Sequence, residues 1–304
     1  MKQKVILGLV LLVMIMSIGV GIVFLDDRKY LLISLVVLLL GMIPFVTSFE
    51  RRKPQAREVV LLAVMAAIVA AGNLFFYMTA PFQAGTALVI IAGICLGPEQ
   101  GFLVGAIARF SVNLFSGQGP WTPWQMFCWG LLGLLAGLCF NREDAVVKKE
   151  FEFKWIMGPV ITVFAAIAAA LVIHLASGST ETFLGWKLYG FGFMGLLIGL
   201  VFQRNRLPTD RITIGIFSFL TTFIVYGGIM NIAALVMATG VSGSGMAMDW
   251  DSMKILYISG VPYDAVHALA AAVFGMLLGP PMIEKLDRVK LKYGLYQFDK
   301  GCKF

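Results

Sequence analysis

Long apolar runs dominate this chain, and short clusters of charge, glycine and proline divide them. The runs fall at about 4–25, 30–48, 58–78, 82–96, 99–116, 122–140, 155–176, 185–203, 212–239 and 263–283. Most reach the roughly 20 residues that a helix needs to cross a hydrocarbon core. A membrane barrel would show shorter segments of alternating polarity. The pattern predicts an all-α membrane protein, a polytopic helical bundle of about ten transmembrane segments. The fourth run is short, held between Pro81 and the pair Gly97-Pro98.

Composition agrees. The 304 residues are 59% hydrophobic and only 13% charged, and the mean hydropathy is +0.88. A soluble domain carries about a quarter charged residues. The net charge of +7 would raise nucleic acid as a partner in a soluble protein. Here no basic stripe with interleaved aromatics exists, and the charge instead follows the positive-inside pattern. With both termini cytoplasmic, the inner loops hold Arg51, Arg52, Lys53 and Arg57, then Arg142, Lys148, Lys149 and Lys154, then Arg204, Arg206 and Arg211. The tail adds Lys285, Arg288, Lys290, Lys292, Lys300 and Lys303. The outer loops hold only Arg28, Lys29, Lys187 and Lys254. The expected location is the cell (inner or plasma) membrane. The run after Lys2 and Lys4 lacks a small-residue cleavage site and is read as a retained helix.

Several chemistries are excluded. No G-x-x-x-x-G-K-[ST] loop occurs, so the chain is not expected to bind or hydrolyse ATP. No H-E-x-x-H and no C-x-x-C occur, and Cys95, Cys128, Cys139 and Cys302 read as isolated thiols. No metal, cofactor or enzymatic activity is expected. Ser242 with His267 resembles the dyad of rhomboid proteases. There, however, the serine opens an apolar helix, whereas Ser242 leads into a polar Asp249-Trp250-Asp251 stretch.

Polar residues inside apolar runs mark the candidate site. Arg109 is the one basic residue deep in a run, with Asn113 a turn later. A charge at that depth costs about 2.5–3.5 kcal/mol and should face the bundle or a wet cavity. It either binds a polar or anionic group or pairs structurally. The break Gly117-Gln118-Gly-Pro120-Trp121-Thr-Pro123-Trp124-Gln125 forbids a continuous helix. It makes an aromatic belt or the wall of a site for a flat ligand. Asn73 and Tyr77 end the third run on the same outer side, Gln83 follows, Asn231 sits in the ninth run, and Tyr263, Asp264 and His267 begin the tenth. The stretch from about Gly240 to Pro262 is expected as a long outer loop, able to act as a lid carrying Trp250. His174 and His267 read as hydrogen-bonded bundle histidines.

Two features concern packing. Ala63, Ala67 and Ala71 share one helix face, next to a stripe of Ala66 and Ala70. Such a face either packs inside the bundle or docks a partner. Gly133-Leu-Leu-Ala-Gly137-Leu-Cys-Phe140 is echoed by Gly195-Leu-Leu-Ile-Gly199-Leu-Val-Phe202, and Trp124 and Arg142 fall on Trp186 and Arg204 at the same offset. A duplicated unit is one explanation.

Residues 57–140 resemble the S components of energy-coupling factor (ECF) transporters. The likeness rests on Arg57-Glu58 with the alanine stripe, on Ala87 through Gly97, on Gly101-Phe-Leu-Val-Gly105 and on the Gly117–Gln125 motif. The closing Val261-Pro-Tyr-Asp264-Ala-Val-His267 and Leu278-Gly-Pro-Pro281 are similar to that family's last helix. The resemblance implies a subunit that binds a vitamin on its outer face, a transmembrane coupling subunit and two cytoplasmic ATPases as partners, and coupling-protein contact at Ala63 and Ala67. It implies a cobalamin-like ligand, cobalamin or another corrinoid. The division expected is two extra helices in 1–50, four core helices in 51–140, a linker and inserted pair in 141–211, two core helices with the long loop in 212–284, and a basic tail in 285–304. The usual S component has six helices, so the extra ones depart from the pattern. A stand-alone secondary transporter of a small polar or aromatic solute is the competing reading, because transporters are built from repeats.

Overall fold

The computed structural model describes residues 54–140, 159–178, 182–203, 206–240 and 245–294, with isolated positions between 39 and 50. The segments expected at 4–25 and 30–48, the linker with Arg142, Arg204, Ser242 and Cys302 lie outside the described residues, those isolated positions apart. Among the described residues no strand occurs. The helices are α1 (Ala56–Phe75), α2 (Gly85–Leu96), α3 (Pro98–Ser116), α4 (Thr122–Phe140), α5 (Pro159–Ala176), α6 (Trp186–Phe202), α7 (Arg211–Thr221), α8 (Gly228–Thr239) and α9 (Trp250–Lys292). A π-helical turn, Thr222–Gly227, joins α7 to α8, so Arg211–Thr239 is one continuous span. Five helical stretches among the described residues are long and apolar enough to cross a membrane.

Breaks fall where backbone chemistry demands. Gly97 has φ of 94° and Gly117 of 107°, left-handed geometry that side chains disfavour. Gly97 lets the chain reverse between α2 and α3, and Pro98 then opens α3, where a missing N–H costs nothing.

Glycine also sets the packing. Helices in lipid gain no hydrophobic drive from meeting each other, so close backbone approach carries the association. α3 and α4 run antiparallel in one register. Pro98 lies against Gly137, Gly101 against Gly133, and Gly105 against the Trp129 carbonyl. Steps of three and then four residues along α3 answer steps of four back along α4. A Cβ on Gly101 would fall 2.6 Å from the Gly133 carbonyl oxygen. Gly93 of α2 packs on that same carbonyl.

The echo in sequence is also an echo in packing. α5 and α6 pair chiefly with each other. Gly199 meets Pro159 as Gly137 meets Pro98, and Gly195 meets Thr162 and Val163 as Gly133 meets Gly101. At the same offset, however, Leu171 and Lys187 stand where Arg109 and Gln125 stand in α3 and α4. The second hairpin keeps the packing and not the polar pair.

The expected lid is not a loop from Trp250 onward: Trp250–Lys292 is one helix of 43 residues. At 1.5 Å per residue it spans about 65 Å, twice the roughly 30 Å of hydrocarbon. Pro262 had marked a boundary on sequence grounds, because proline removes a helical hydrogen bond. Three contacts hold the preceding turns instead. Asp249 caps the start by accepting from the Ser252 N–H at 2.8 Å, which holds its carboxyl below the usual carboxylate range. Tyr257 donates to the Gly228 carbonyl at 2.9 Å. Trp250 packs edge-on against Trp186, centroids 5.0 Å apart.

Counting α7 and α8 as one span, successive spans alternate in direction, and one end of the bundle collects cations that bond helix-end carbonyls. Arg57 donates to the Tyr293 carbonyl, Lys290 to that of Cys95 and Arg206 to that of Leu138. The Gly117–Gln125 break, Trp186 and Trp250 lie at the opposite end. Cys95, Cys128 and Cys139 are buried free thiols.

Two glycine substitutions check the packing. Gly133→Val should lower stability by at least the roughly 1–3 kcal/mol of an overpacked core, read as an earlier melt of purified protein in detergent. Gly190→Ala, whose new Cβ meets only the Trp186 ring at 4.0 Å, should stay within about 0.5 kcal/mol.

Candidate functional site

One further step along the α3–α4 register carries the site. Arg109 follows Gly105 by one turn, and Gln125 precedes Trp129 by one turn. Arg109 Nε donates to Gln125 Oε1 at 2.9 Å. Asn113, buried, donates from Nδ2 to that same oxygen at 2.9 Å and to Thr122 Oγ1 at 3.0 Å. The Arg109 guanidinium sits 5.0 Å from the centroid of the Trp129 ring, a favourable cation–π placement. Among the described residues no carboxylate pairs with Arg109. Its charge is held by a neutral amide and an aromatic face, with nitrogens to spare.

The break between α3 and α4 is tied to this network. Gly119 N–H donates to Thr122 Oγ1 at 3.1 Å. Gln118 is exposed and donates to the Phe110 carbonyl at 3.3 Å. Trp121 is exposed and covers Gly119. Trp124 is half-buried, and the indole N–H groups of Trp124 and Trp129 are buried without hydrogen-bond partners among the described residues. Asn73 is buried with Gly85 and the tip of Trp129: a Cβ on Gly85 would meet both. Trp129, absent from the sequence-based candidates, thus links Asn73 to Arg109. Only its place one turn after Gln125 signalled it.

A second polar node lies across the bundle. The Asp264 carboxylate is buried, and its Oδ2 accepts from Tyr189 OH at 2.5 Å and from Asn231 Nδ2 at 2.9 Å. The π-turn brings Gly227 against this carboxylate, where a Cβ would fall 2.6 Å from Cγ. Tyr189 stacks on Phe223 at 4.9 Å. Asn231, expected at the site, therefore joins α6, α8 and α9 instead of meeting Arg109. His267, a turn beyond Asp264, shares a 2.8 Å hydrogen bond with Thr86 Oγ1 and takes the edge of Tyr226. That fits its expected bundle role. His174 lies 3.4 Å from Lys187 Nζ.

The remaining expected residues are peripheral. Tyr77 is exposed beyond α1 and Gln83 half-buried before α2. Trp250 belongs to the Trp186 contact and not to the Arg109 network. On α1, Ala63, Ala67 and Ala71 are exposed, as are Val60, Val64 and Ile68, whereas Ala66 and Ala70 are buried. The boundary between the exposed and the buried side of α1 thus runs between the two adjacent alanine stripes. Among the described residues no cluster of His, Cys, Asp and Glu forms a metal site.

Among the described residues the fold is a bundle of apolar helices long enough to span a membrane, with a polar network inside it. The chain belongs to the ECF-type S-component family. The family model for the ECF-type riboflavin transporter S component matches residues 53–187. A UPF0397 protein of Aliivibrio fischeri is 33% identical over 165 residues, 49% of this chain and 90% of that protein. Another, of Aliivibrio salmonicida, is 33% identical over 143 residues, 45% of this chain and 74% of that protein. No solved structure matches. S components are transport subunits and not enzymes, bind a small-molecule substrate, and associate with membrane coupling and ATPase subunits.

Gln125→Leu should cost about 1–3 kcal/mol, because it strips the shared acceptor from Arg109 and Asn113. Gln118→Ala at the exposed position should cost less than about 0.5 kcal/mol. Thermal melts of the two variants beside the parent decide this.

Proposed function

We propose that the chain captures a vitamin at the end of the bundle carrying the 117–125 break. That end faces outward, and the captured vitamin is handed to ATPase-driven partners through α1. The reading rests chiefly on one observation: Arg109 is carried into the bundle with its charge uncompensated, beside Trp129 and the break. A group held that way is ready for an anionic or polar ligand edge. The spare indole N–H groups of Trp124 and Trp129 add donors and flat apolar surface. Asn73, Asn113 and Gln125 orient these groups. Tyr77, Gln83, Gln118 and Trp121 rim the entrance.

The orientation follows from the cation-rich opposite end, which the positive-inside pattern assigns to the cytoplasm. Docking is assigned to the exposed Ala63, Ala67 and Ala71 face, where small side chains let a partner helix approach closely. The ligand is a large ring system. The Gly117–Gln125 motif favours cobalamin or another corrinoid, and the matched family model carries the name of riboflavin, so these two are the ligands to compare.

The test is binding without ATP. The purified chain should bind one of the two vitamins, and Arg109→Ala and Trp124→Ala should weaken binding by about tenfold or more. Trp186→Ala should weaken it less. Equal loss in all three variants counts against the site. Ala63→Trp and Ala67→Trp should abolish co-purification with a coupling subunit while sparing ligand binding. Gradient-driven uptake by vesicles containing this chain alone would favour the secondary transporter instead.

A further inference from the structure

Two polar residues a turn apart on α3 face two a turn apart on α4. Arg109 and Asn113 lie on one face of α3, Gln125 and Thr122 on one face of α4. Arg109 Nε donates to Gln125 Oε1 at 2.9 Å. Asn113 Nδ2 donates to that same oxygen at 2.9 Å and to Thr122 Oγ1 at 3.0 Å. Thr122 carries the chain of bonds on to the break. Its Oγ1 also accepts from the Gly119 N–H at 3.1 Å, and its own N–H donates to the Gly119 carbonyl at 3.0 Å. Thr122 and Asn113 are buried, whereas Gly117, Gln118 and Trp121 of the break are exposed.

This chain of bonds has no slack. The Gln125 amide oxygen accepts twice, the Thr122 hydroxyl oxygen accepts twice, and the Asn113 amide gives both of its hydrogens. Each group is then at its full capacity in that role. Removing the Thr122 oxygen leaves one Asn113 hydrogen buried without a partner, which is costly. It also frees that amide to turn and to draw Gln125 off Arg109. Helix packing does not require the hydroxyl. The α5–α6 hairpin keeps the glycine contacts with Leu175 and Leu184 at the positions of Asn113 and Thr122, and both leucines are exposed.

From this geometry we infer that Thr122 is a positioning residue of the capture site. Its hydroxyl joins the outer break to Arg109, so the conformation of residues 117–121 sets the guanidinium in place. The inference rests on the proposed capture site and adds to it a residue that acts through Asn113 and Gln125. A ligand that settles against the exposed Trp121 thereby also fixes Arg109.

The test uses the full chain in lipid nanodiscs, with riboflavin and cyanocobalamin as probes in isothermal titration calorimetry. Thr122→Val keeps the shape and removes the acceptor, whereas Thr122→Ser keeps the acceptor and removes the methyl group. For the vitamin that the parent binds, Thr122→Val should weaken binding about tenfold, and Thr122→Ser should stay within about twofold. In an Arg109→Ala background Thr122→Val should add little, because the two act on one contact. A second readout needs no vitamin. Phenylglyoxal labels guanidinium groups, and peptide mass spectrometry reads Arg109 separately from the other arginines. Thr122→Val should speed its labelling about threefold or more, and Thr122→Ser should leave it unchanged. Weakening by Thr122→Ser as large as that by Thr122→Val indicates a packing role and overturns the inference. So does a full additional loss in the Arg109→Ala background, or an unchanged labelling rate in Thr122→Val. If Thr122→Val does not fold, Thr122→Ala beside Thr122→Ser isolates the hydroxyl instead, and equal binding by those two is the overturning result. If neither vitamin binds the parent, the capture proposal fails, and the labelling of Arg109 alone decides whether Thr122 positions it.

Discussion

Backbone-to-backbone contact between α3 and α4 is the constraint on which the rest depends. In lipid the hydrocarbon is as good a neighbour for leucine as another helix is. The glycines at 93, 101, 105, 133 and 137 let chains approach within carbonyl distance, where dispersion and weak polar contacts act. That contact also fixes register. Once Gly101 faces Gly133, helical periodicity alone brings Arg109 opposite Gln125 and Asn113 opposite Thr122. Packing and site are the same ladder read at two heights.

The α5–α6 hairpin shows what the ladder does without the polar rungs. It repeats the proline and glycine contacts and then presents Leu171 and Lys187. Its outer face is apolar, with Val172, Ile173 and Leu175 exposed among the described residues. Its polar contribution to the core is Tyr189, reaching Asp264. A repeated packing pattern can thus keep its contacts while the polar residues on its inner face differ.

α1 and α9 divide the other tasks. α1 buries Met65, Ala66, Val69 and Asn73 and exposes the neighbouring alanine stripe, so one helix supports the interior and leaves a smooth strip open. α9 runs the height of the bundle and beyond. It holds Asp264 and His267 inside, packs Trp250 edge-on against Trp186 at one end, and at the other places Lys290 and the Tyr293 carbonyl against α2 and α1. Its prolines remove donors, and the contacts around Tyr257 and Asp249 keep the turns intact.

Much of this was legible in the chain itself. Hydrophobic run length gave the helices because lipid leaves a backbone no other solvent, and most boundaries at 56–140 followed from Gly97, Pro98 and the 117–123 break. Arg109 stood out because a charge in an apolar run is costly, and the glycine echo stood out because its spacing repeats. What tertiary structure alone decided is which distant groups meet. Trp129 joined the site through a register that no local pattern encodes. Residues 250–262 became helix because Trp186 and Gly228 hold them. Asn231 turned to Asp264, and Tyr189 reached that carboxylate across 75 positions of sequence. Local periodicity fixes how a residue faces on its own helix, whereas its partner is set by how whole helices rotate and slide against one another.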